Sequence, residues 1–521
     1  MTGRASPGAR IEVRSVDGST LVAATTAARD GWFHVSVPVG TYQLAGAGVA
    51  TTIRIVAGHV SRVSNGKAID ETATLGLVLD ANEIANLPLR RDASDVQRIT
   101  PGVNQDLVGF SVYGSSSPEN AFYMDGVHLN NTTFGALSVL MPIDFAQEVQ
   151  VATAGYPAEF GHSTGGIVNV VTKNGFTPMR ATAFAYSRPR GIQSASSHAG
   201  DLVPFLAFAA FNKTSGNDFG VLGSGALLRD KLYFAAGYDR LQSTVRNLVV
   251  SDFRSFAPTV AGPGTAFDRT TTQNAYMAKV DWRASDHLNL IGSAFGDPGH
   301  ARGAIGFIDG EVSTFTGARD IGGNNASMNA VWTSANWLLN GSASTHREKS
   351  VDRPANESAL VIDMTIPRSL ATGGFGGVTD ERGSRDSVRL AAGHPFFAAG
   401  NHDVKVGGEY DRSETDYRFR YTSGVFVRKR RSGSTIFYQK RFFVVPGSTL
   451  TNLTIASDIR TAPRDTYDAL FAQDAWRLTD SLTANIGVRW ERQYIRGDPV
   501  QQLPLPQPDL PVAYTSSFRT S

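Results

Sequence analysis

The sequence predicts a mainly β chain whose second part, residues 177–521, is an antiparallel transmembrane β-array. Three observations predict it. From residue 179 to 496 the dominant signal is apolar/polar alternation with period two. Charged residues make up only 18% of the chain, below the ~25% of ordinary soluble proteins, and glycines number 53. Short turns alternate with long Gly/Ser/Asp-rich connections, the asymmetry of outer-membrane barrels. No run of about 18 apolar residues occurs, so no helix is expected to span a membrane. The same composition also suits a secreted all-β protein, and composition alone does not choose between them.

Charge and cysteine content remove other classes. The net charge of +2 creates no strong field toward nucleic acid or anionic lipid. Cysteine is absent, which excludes disulfides, thiolate metal sites, a cysteine nucleophile and a lipid-modified N-terminal Cys. The first ten residues, MTGRASPGAR, contain no apolar signal-peptide core, so an exported protein of this kind is expected to start upstream.

In chain order, residues 1–63 read as a small β-sandwich. Strand candidates at 11–14, 21–25, 32–37, 41–45 and 51–56 are separated by turns at Asp17-Gly18, Asp30-Gly31 and Pro38-Val39-Gly40. The run Asp30-Gly31-Trp32-Phe33 with Val37-Pro38-Val39-Gly40-Thr41-Tyr42 resembles the carboxypeptidase regulatory-like domain, which implies an immunoglobulin-like sandwich and no peptidase activity. His34 and His59 have no partner spacing for a metal site. Residues 64–80 read as a linker with few bulky side chains before Leu75. Within it, Asp70, Glu71, Thr72, Ala73, Thr74 and Leu75 have two readings: an exposed strand for a partner's sheet edge, or a plain tether.

From Ala81 the pattern becomes α+β. One turn ends at Pro88, and a short helix over residues 95–99 is capped by Asp92 or Ser94 and stopped by Pro101-Gly102. Strand-like pieces follow at 121–124, 149–153 and 166–172, bounded by Asp125-Gly126, Gly155-Tyr156-Pro157 and Asn174-Gly175. Gly161, Gly165 and Gly166 are expected to allow close backbone approach to a surrounding wall. Glu148, Glu159 and Lys173 are expected to bond polar groups on that wall. Nothing in the sequence fixes a catalytic pair between Asp125 or Glu159 and His128 or His162, so all four read as structural.

The array itself is clearest at residues 481–494. Leu482, Ala484, Ile486, Val488 and Trp490 share one face, and Thr483, Asn485, Arg489, Glu491 and Gln493 the other. Val404, Val406 and Tyr410 likewise oppose Lys405, Glu409 and Asp411, and Tyr276, Ala278, Val280 and Trp282 oppose Met277, Lys279, Asp281 and Arg283. Short turns are expected at 229–230, 284–287 and 478–481, and long connections at 249–272, 297–324 and 354–385. Trp282, Trp332, Trp337, Trp476, Trp490, Tyr238, Tyr276, Tyr410 and Tyr467 are candidates for interfacial girdles or, individually, for core or loop positions. The basic run Arg428-Lys429-Arg430-Arg431 fits an extracellular loop or strand rim near anionic head groups better than a nucleic-acid site.

Five blocks now carry a specific resemblance: Leu87-Pro88 with Ile99-Thr100-Pro101-Gly102-Val103; Ser111-Val112-Tyr113-Gly114; Asn120-Ala121-Phe122-Tyr123-Met124-Asp125-Gly126-Val127; Glu148-Val149-Gln150-Val151; and the run 158–173, AEFGHSTGGIVNVVTK. In order and spacing they resemble the plug domain of TonB-dependent outer-membrane transporters. With the regulatory-like domain in front, the match points to the Oar-like branch. The resemblance implies a linker at 64–80, a plug at 81–176 and a barrel of 22 strands, of which about 14 strand candidates are counted after the plug. The last strands are therefore expected to be missing and the barrel incomplete.

The resemblance further implies energy-dependent uptake of an extracellular ligand, with the plug gated by an inner-membrane TonB-type protein. Asp70–Leu75 would contact that protein. Tyr113, Ser115, Ser116, Glu119, Asn130, Asn131 and Phe134 would face the ligand at the plug apex. The implied setting is outer-membrane lipid with the N-terminal domain in the periplasm, without cofactor, metal, nucleic-acid partner or enzymatic activity. A siderophore, carbohydrate, vitamin or peptide remains open as ligand. The competing reading is a secreted or surface-exposed adhesin or scaffold, in which the apolar faces would be packed into a core.

Overall fold

The computed structural model describes pieces of residues 2–69, residues 74–497 apart from breaks of which 193–208 is the longest, and residues 517–520. The described part of residues 2–69 forms two four-stranded sheets. Ile11, Val13, Val35, Tyr42, Leu44 and Ile53 make a small apolar core there.

A five-stranded mixed sheet comes next. Its strands are β1 (Leu75–Asp80), β2 (Ala121–Met124), β3 (Val127–His128), β4 (Ala146–Ala154) and β5 (Ile167–Thr172), in the order β3-β2-β5-β4-β1. Residues 75–80, read from the sequence as the end of a linker, are thus the edge strand of this sheet. Helix α1 (Ala81–Ala85) starts from Asp80 through a capping box. Asp80 Oδ1 accepts from the backbone of Asn82 and Glu83, and Glu83 Oε2 accepts from Asp80 N. The helix expected at 95–99 is a 3-10 helix over Ala93–Ile99, with Asp92 as N-cap. At Asp125-Gly126 both residues have positive φ, 47° and 81°, as a tight turn between β2 and β3 demands.

The remaining large element is a 14-stranded antiparallel sheet that curls around the five-stranded one. Its principal strands are β6 (Arg180–Arg188), β7 (Ala209–Leu228), β8 (Leu232–Val249), β9 (Ala266–Arg283), β10 (Leu288–Gly296), β11 (Gly299–Ala304), β12 (Thr316–Ser334), β13 (Trp337–Pro354), β14 (Gly377–Phe397), β15 (Asn401–Tyr421), β16 (Arg464–Thr479) and β17 (Leu482–Arg496). Consecutive strands are neighbours in the sheet, a meander of hairpins, except that β10 and β11 lie in line and both pair with β9 and β12. Among the described residues β6 pairs only with β7, so the sheet is open at that edge. The strand ends joined by short connections, between β7 and β8, β9 and β10, β12 and β13, β14 and β15, and β16 and β17, lie at one end of the sheet, and those joined by long connections at the other. The basic run 428–431 lies in the strand Phe426–Ser432, part of a four-stranded sheet built from those long connections. There Lys429 Nζ meets Asp363 Oδ2 at 2.6 Å.

Alternation sets the two faces of the wall. Val280, Trp282, Leu390, Val406, Tyr410, Ile486, Val488 and Trp490 point outward and are exposed, whereas Met277, Lys279 and Asp411 point inward and are buried. An exposed apolar belt on long strands is what lipid covers, and a secreted sandwich would have packed it away. Near the short-turn end, Trp337, His394, Phe396, His402 and Trp476 stack in series across β13 to β16, with ring centroids 4.4–6.3 Å apart. Tyr467 departs from the girdle expectation, because it is buried and faces the inserted domain.

Candidate functional site

The inserted domain touches the wall through two flanks of different chemistry. On one side Phe145 is fully buried and shares a core with Leu222, Ala235, Ala275, Met277 and Phe295 from β7 to β10. A Cβ on Gly237 would come within 2.8 Å of the Phe145 ring, so a glycine on β8 lets that ring lie against the wall.

The other flank is ionic. At Glu159, Oε2 lies 2.6 Å from Lys405 Nζ and 3.2 Å from Arg389 Nη2, while Oε1 accepts from Gln473 Nε2 at 3.2 Å. Burial alone would raise the Glu159 carboxyl, but the cations of Lys405 and Arg389 outweigh it and hold the group below its ordinary value. Arg489 Nη1 donates to the carbonyl of Glu159 at 3.2 Å, and its Nη2 reaches Glu409 Oε2 at 2.8 Å and the Tyr467 hydroxyl at 2.9 Å. His162, at φ 60°, places Nε2 2.8 Å from Asp411 Oδ2 and 3.6 Å from Glu409 Oε1. Four rings run from the domain to the wall: Tyr123, His128, His162 and Tyr467, with successive centroids 5.0, 4.8 and 3.8 Å apart.

Two further contacts fix the ends. Near the short turns, Asp125 Oδ1 accepts from Lys279 Nζ at 2.9 Å and from Thr172 N at 3.0 Å. Lys279 also donates to the Thr172 carbonyl at 3.2 Å, so its buried ammonium has several acceptors. Toward the long connections, Thr132 N donates to Glu348 Oε1 at 2.8 Å, and Asn131 Nδ2 donates to Glu381 Oε1 at 3.2 Å. Arg385 Nη1 caps the Asn130 carbonyl at 3.0 Å. A cavity of about 1250 Å³ runs beside the domain, lined by Asp125, Lys279, Arg283, Glu159, Arg389 and Glu409 among others, and bordered by residues 23–26.

The structure sorts the sequence-predicted residues. Tyr113 and Phe134 are exposed. Ser116 and Glu119 are tied in a capping box, and the Ser115 hydroxyl accepts from Val112 N at 3.2 Å. Asn131 Oδ1 accepts from the backbone of Thr133 and Phe134. Asn130 does not face outward: it is buried, its Oδ1 accepts from Phe122 N, and its Nδ2 donates to the carbonyls of Asn120 and Gly135. Leu75 begins β1, Thr74 bonds the Gly155 carbonyl, and residues 70–73 lie outside the described residues. Of the three glycines, only Gly161 approaches the wall, where an added Cβ would lie 2.5 Å from Arg489 Nη2. Gly165 and Gly166 instead approach Asn120 and Val112 inside the domain. Glu148 also stays inside, accepting from Gln150 Nε2.

The wall residues Lys279, Arg385, Arg389, Lys405, Glu409, Asp411 and Arg489 were not singled out as site residues in the sequence. The signal that finds them is charge on the inward face of an amphipathic strand opposite an inserted domain. Neither Asp125 nor Glu159 pairs with His128 or His162; their partners are Lys279 and the Arg389–Lys405 pair.

Fold and contacts together define an outer-membrane β-barrel sheet with a plug domain lodged in its lumen. Residues 256–501 match the family model described as outer membrane beta barrel domain. The chain is 24% identical to the TonB-dependent transporter Oar of Myxococcus xanthus over 518 residues, covering 82% of this chain and 48% of that protein. The outer-membrane transporter YddB of Escherichia coli has the same fold, with a TM-score of 0.58 and 15% identity over 81% of this chain and 56% of that one. So does the alcaligin receptor FauA of Bordetella pertussis, with a TM-score of 0.54 and 13% identity over 88% of this chain and 60% of that one. The chain spans about half the length of the curated relative it matches. The chain is similar to TonB-dependent outer-membrane transporters, the Oar-like branch among them, and its place is the outer membrane.

Proposed function

We propose that the chain serves as a receptor and transporter for energy-dependent uptake of an extracellular ligand, with the plug as the gate. The observation that carries this reading is the charged flank of the plug. Glu159, His162 and the 130–132 backbone meet the wall through polar and ionic contacts, which water can replace when the plug shifts. An apolar seal all round would resist such a shift more strongly. The ligand enters among the long connections and meets exposed Tyr113 and Phe134 first. Siderophores, carbohydrates, vitamins and peptides are the candidate classes; similar solved structures include a ferric citrate transporter and a ferric enterobactin receptor.

Coupling is assigned to residues 70–75. A TonB-type protein pairs with this stretch as an added strand, and its pull reaches the plug through β1, the edge strand bonded to β4. Residues 1–63 then stand on the periplasmic side as a regulatory-like sandwich.

The test uses the absence of native cysteine. Asp125→Cys with Lys279→Cys, joined by a cleavable bifunctional thiol reagent, is expected to stop energised uptake of a large antibiotic, and cleavage is expected to restore it. Uptake unchanged by the cross-link, or equal in cells without the inner-membrane energy complex, overturns the gating reading.

A further inference from the structure

We propose that His128 and His162 of the plug and Asp411 of the barrel wall form a binding site for a divalent transition metal of the Zn²⁺ type, which clips the plug to the wall. One ligand atom from each of these residues lies within 4.8 Å of the others. His128 ends β3, His162 sits in the loop between β4 and β5, and Asp411 faces inward from β15.

Apart from the His162–Asp411 approach, these side chains have spare donor capacity. Asn130 fixes the His128 tautomer. Its Oδ1 accepts from Phe122 N at 2.8 Å, so it is the amide oxygen that faces His128 Nε2 at 3.0 Å. Nε2 must therefore carry the proton, and Nδ1 holds a lone pair. A metal-binding imidazole shows the same arrangement, with the other ring nitrogen donating to an oriented acceptor. His128 Nδ1, His162 Nε2 and both carboxylate oxygens of Asp411 are buried and have no hydrogen-bond partner among the described residues. His128 is only 6% exposed and Asp411 only 3%. The approach of His162 to Asp411 at 2.8 Å has the distance of an ion pair without hydrogen-bond alignment, and it leaves His128 Nδ1 unmatched.

Two imidazole nitrogens and a carboxylate suit Zn²⁺ and its neighbours, whereas Ca²⁺ and Mg²⁺ prefer all-oxygen cages. Glu409 Oε1 lies 3.6 Å from His162 Nε2, with its other oxygen held by Arg489, and the fourth position falls to solvent. Ligand atoms around a tetrahedral ion at ~2.1 Å are about 3.4 Å apart. The present separations, from 2.8 Å between His162 and Asp411 up to 4.8 Å within the group, bracket that distance. Any proton on His162 Nε2 leaves to solvent as the metal enters, and no oxidation change is involved.

The test is metal binding by the full chain in detergent, after stripping with a chelator. Titration with Co²⁺ alone is expected to give one ion per chain with the intense visible bands of tetrahedral cobalt, displaced by Zn²⁺. Asp411→Asn and His162→Gln, which keep shape, are expected to weaken binding more than about 100-fold, beyond the ~10–100-fold typical of an outer-shell loss. His287→Gln, on an exposed turn, should leave affinity unchanged. Absence of a stoichiometric cobalt spectrum in the native chain, or equal affinity in the ligand variants, overturns the site. If a variant fails to fold, X-ray absorption of the native chain with Co²⁺ decides, because two imidazole ligands are required. The readout is independent of transport.

Discussion

The Asp125–Lys279 pair shows how single residues fix the plug. Both partners are buried, and they are 154 positions apart in the chain. Lys279→Met would leave the Asp125 carboxylate buried against an apolar neighbour, at a cost of roughly 3–5 kcal/mol to plug docking. Hydrogen exchange at β5 amides should report it as faster exchange, while Asp125→Asn should have a smaller effect. Glu159 gives the pH dependence. Its folded-state pKa lies below the unfolded value of about 4.3, so its contribution is fully present above that value and is lost as pH falls through the folded one. Resistance of the plug to protease should hold from neutral pH to about pH 5 and fall below about pH 4, and Glu159→Gln should diminish that acid step. The sequence marked Asp125, Glu159, His128 and His162 as structural, and the structure pairs Asp125 with Lys279 and Glu159 with Arg389 and Lys405. It did not show their partners, because period two says which wall residues face inward and not which plug atom each one meets.

Elements were legible where their pattern was long. β9, β15 and β17 alternate over enough residues that both faces could be assigned, and the structure places those faces as expected. β1 was not legible. Its sequence, LGLVLD, follows a stretch of small polar residues, and an edge strand bonded on one side needs little alternation. The missed signal was the Asp80–Glu83 capping box, which marks a helix start and so a folded unit beginning earlier than Ala81. Gly76 tests the role of β1 as a load-bearing edge. Its φ of 151° is reserved for glycine, and an added Cβ would lie 1.9 Å from the Val151 carbonyl oxygen. Gly76→Ala should destabilise the edge by more than about 1 kcal/mol and raise exchange along residues 76–80 without loosening β5. Equal exchange in both strands would mean that β1 is no separate handle on the plug.

At the scale of the whole molecule, composition and period sufficed for a barrel wall, and the order of five sequence blocks placed a plug before it. They could not predict that the plug would meet β7 to β10 mainly through the Phe145 core, beside single ion pairs at Lys279 and Asp218, and β13 to β17 mainly through charge, since that asymmetry arises only when the strands close around it. The wall carries the same lesson in adjacent residues. On β14, Arg389 points inward to the Glu159 carboxylate, while Leu390 points outward and is 64% exposed. An arginine is thus stabilised at one position and faces hydrocarbon at the next. Leu390→Arg, seven residues from the short-turn end of β14, should cost about 2–4 kcal/mol in lipid, the depth-dependent penalty of a mid-membrane cation on a barrel. In detergent or water the penalty should shrink, because the new side chain is then solvated. Folding into vesicles, followed by denaturant titration, separates the two cases. A Leu390→Arg chain as stable in bilayers as the native one would mean that this face is not covered by lipid, and the outward belt would then need another partner.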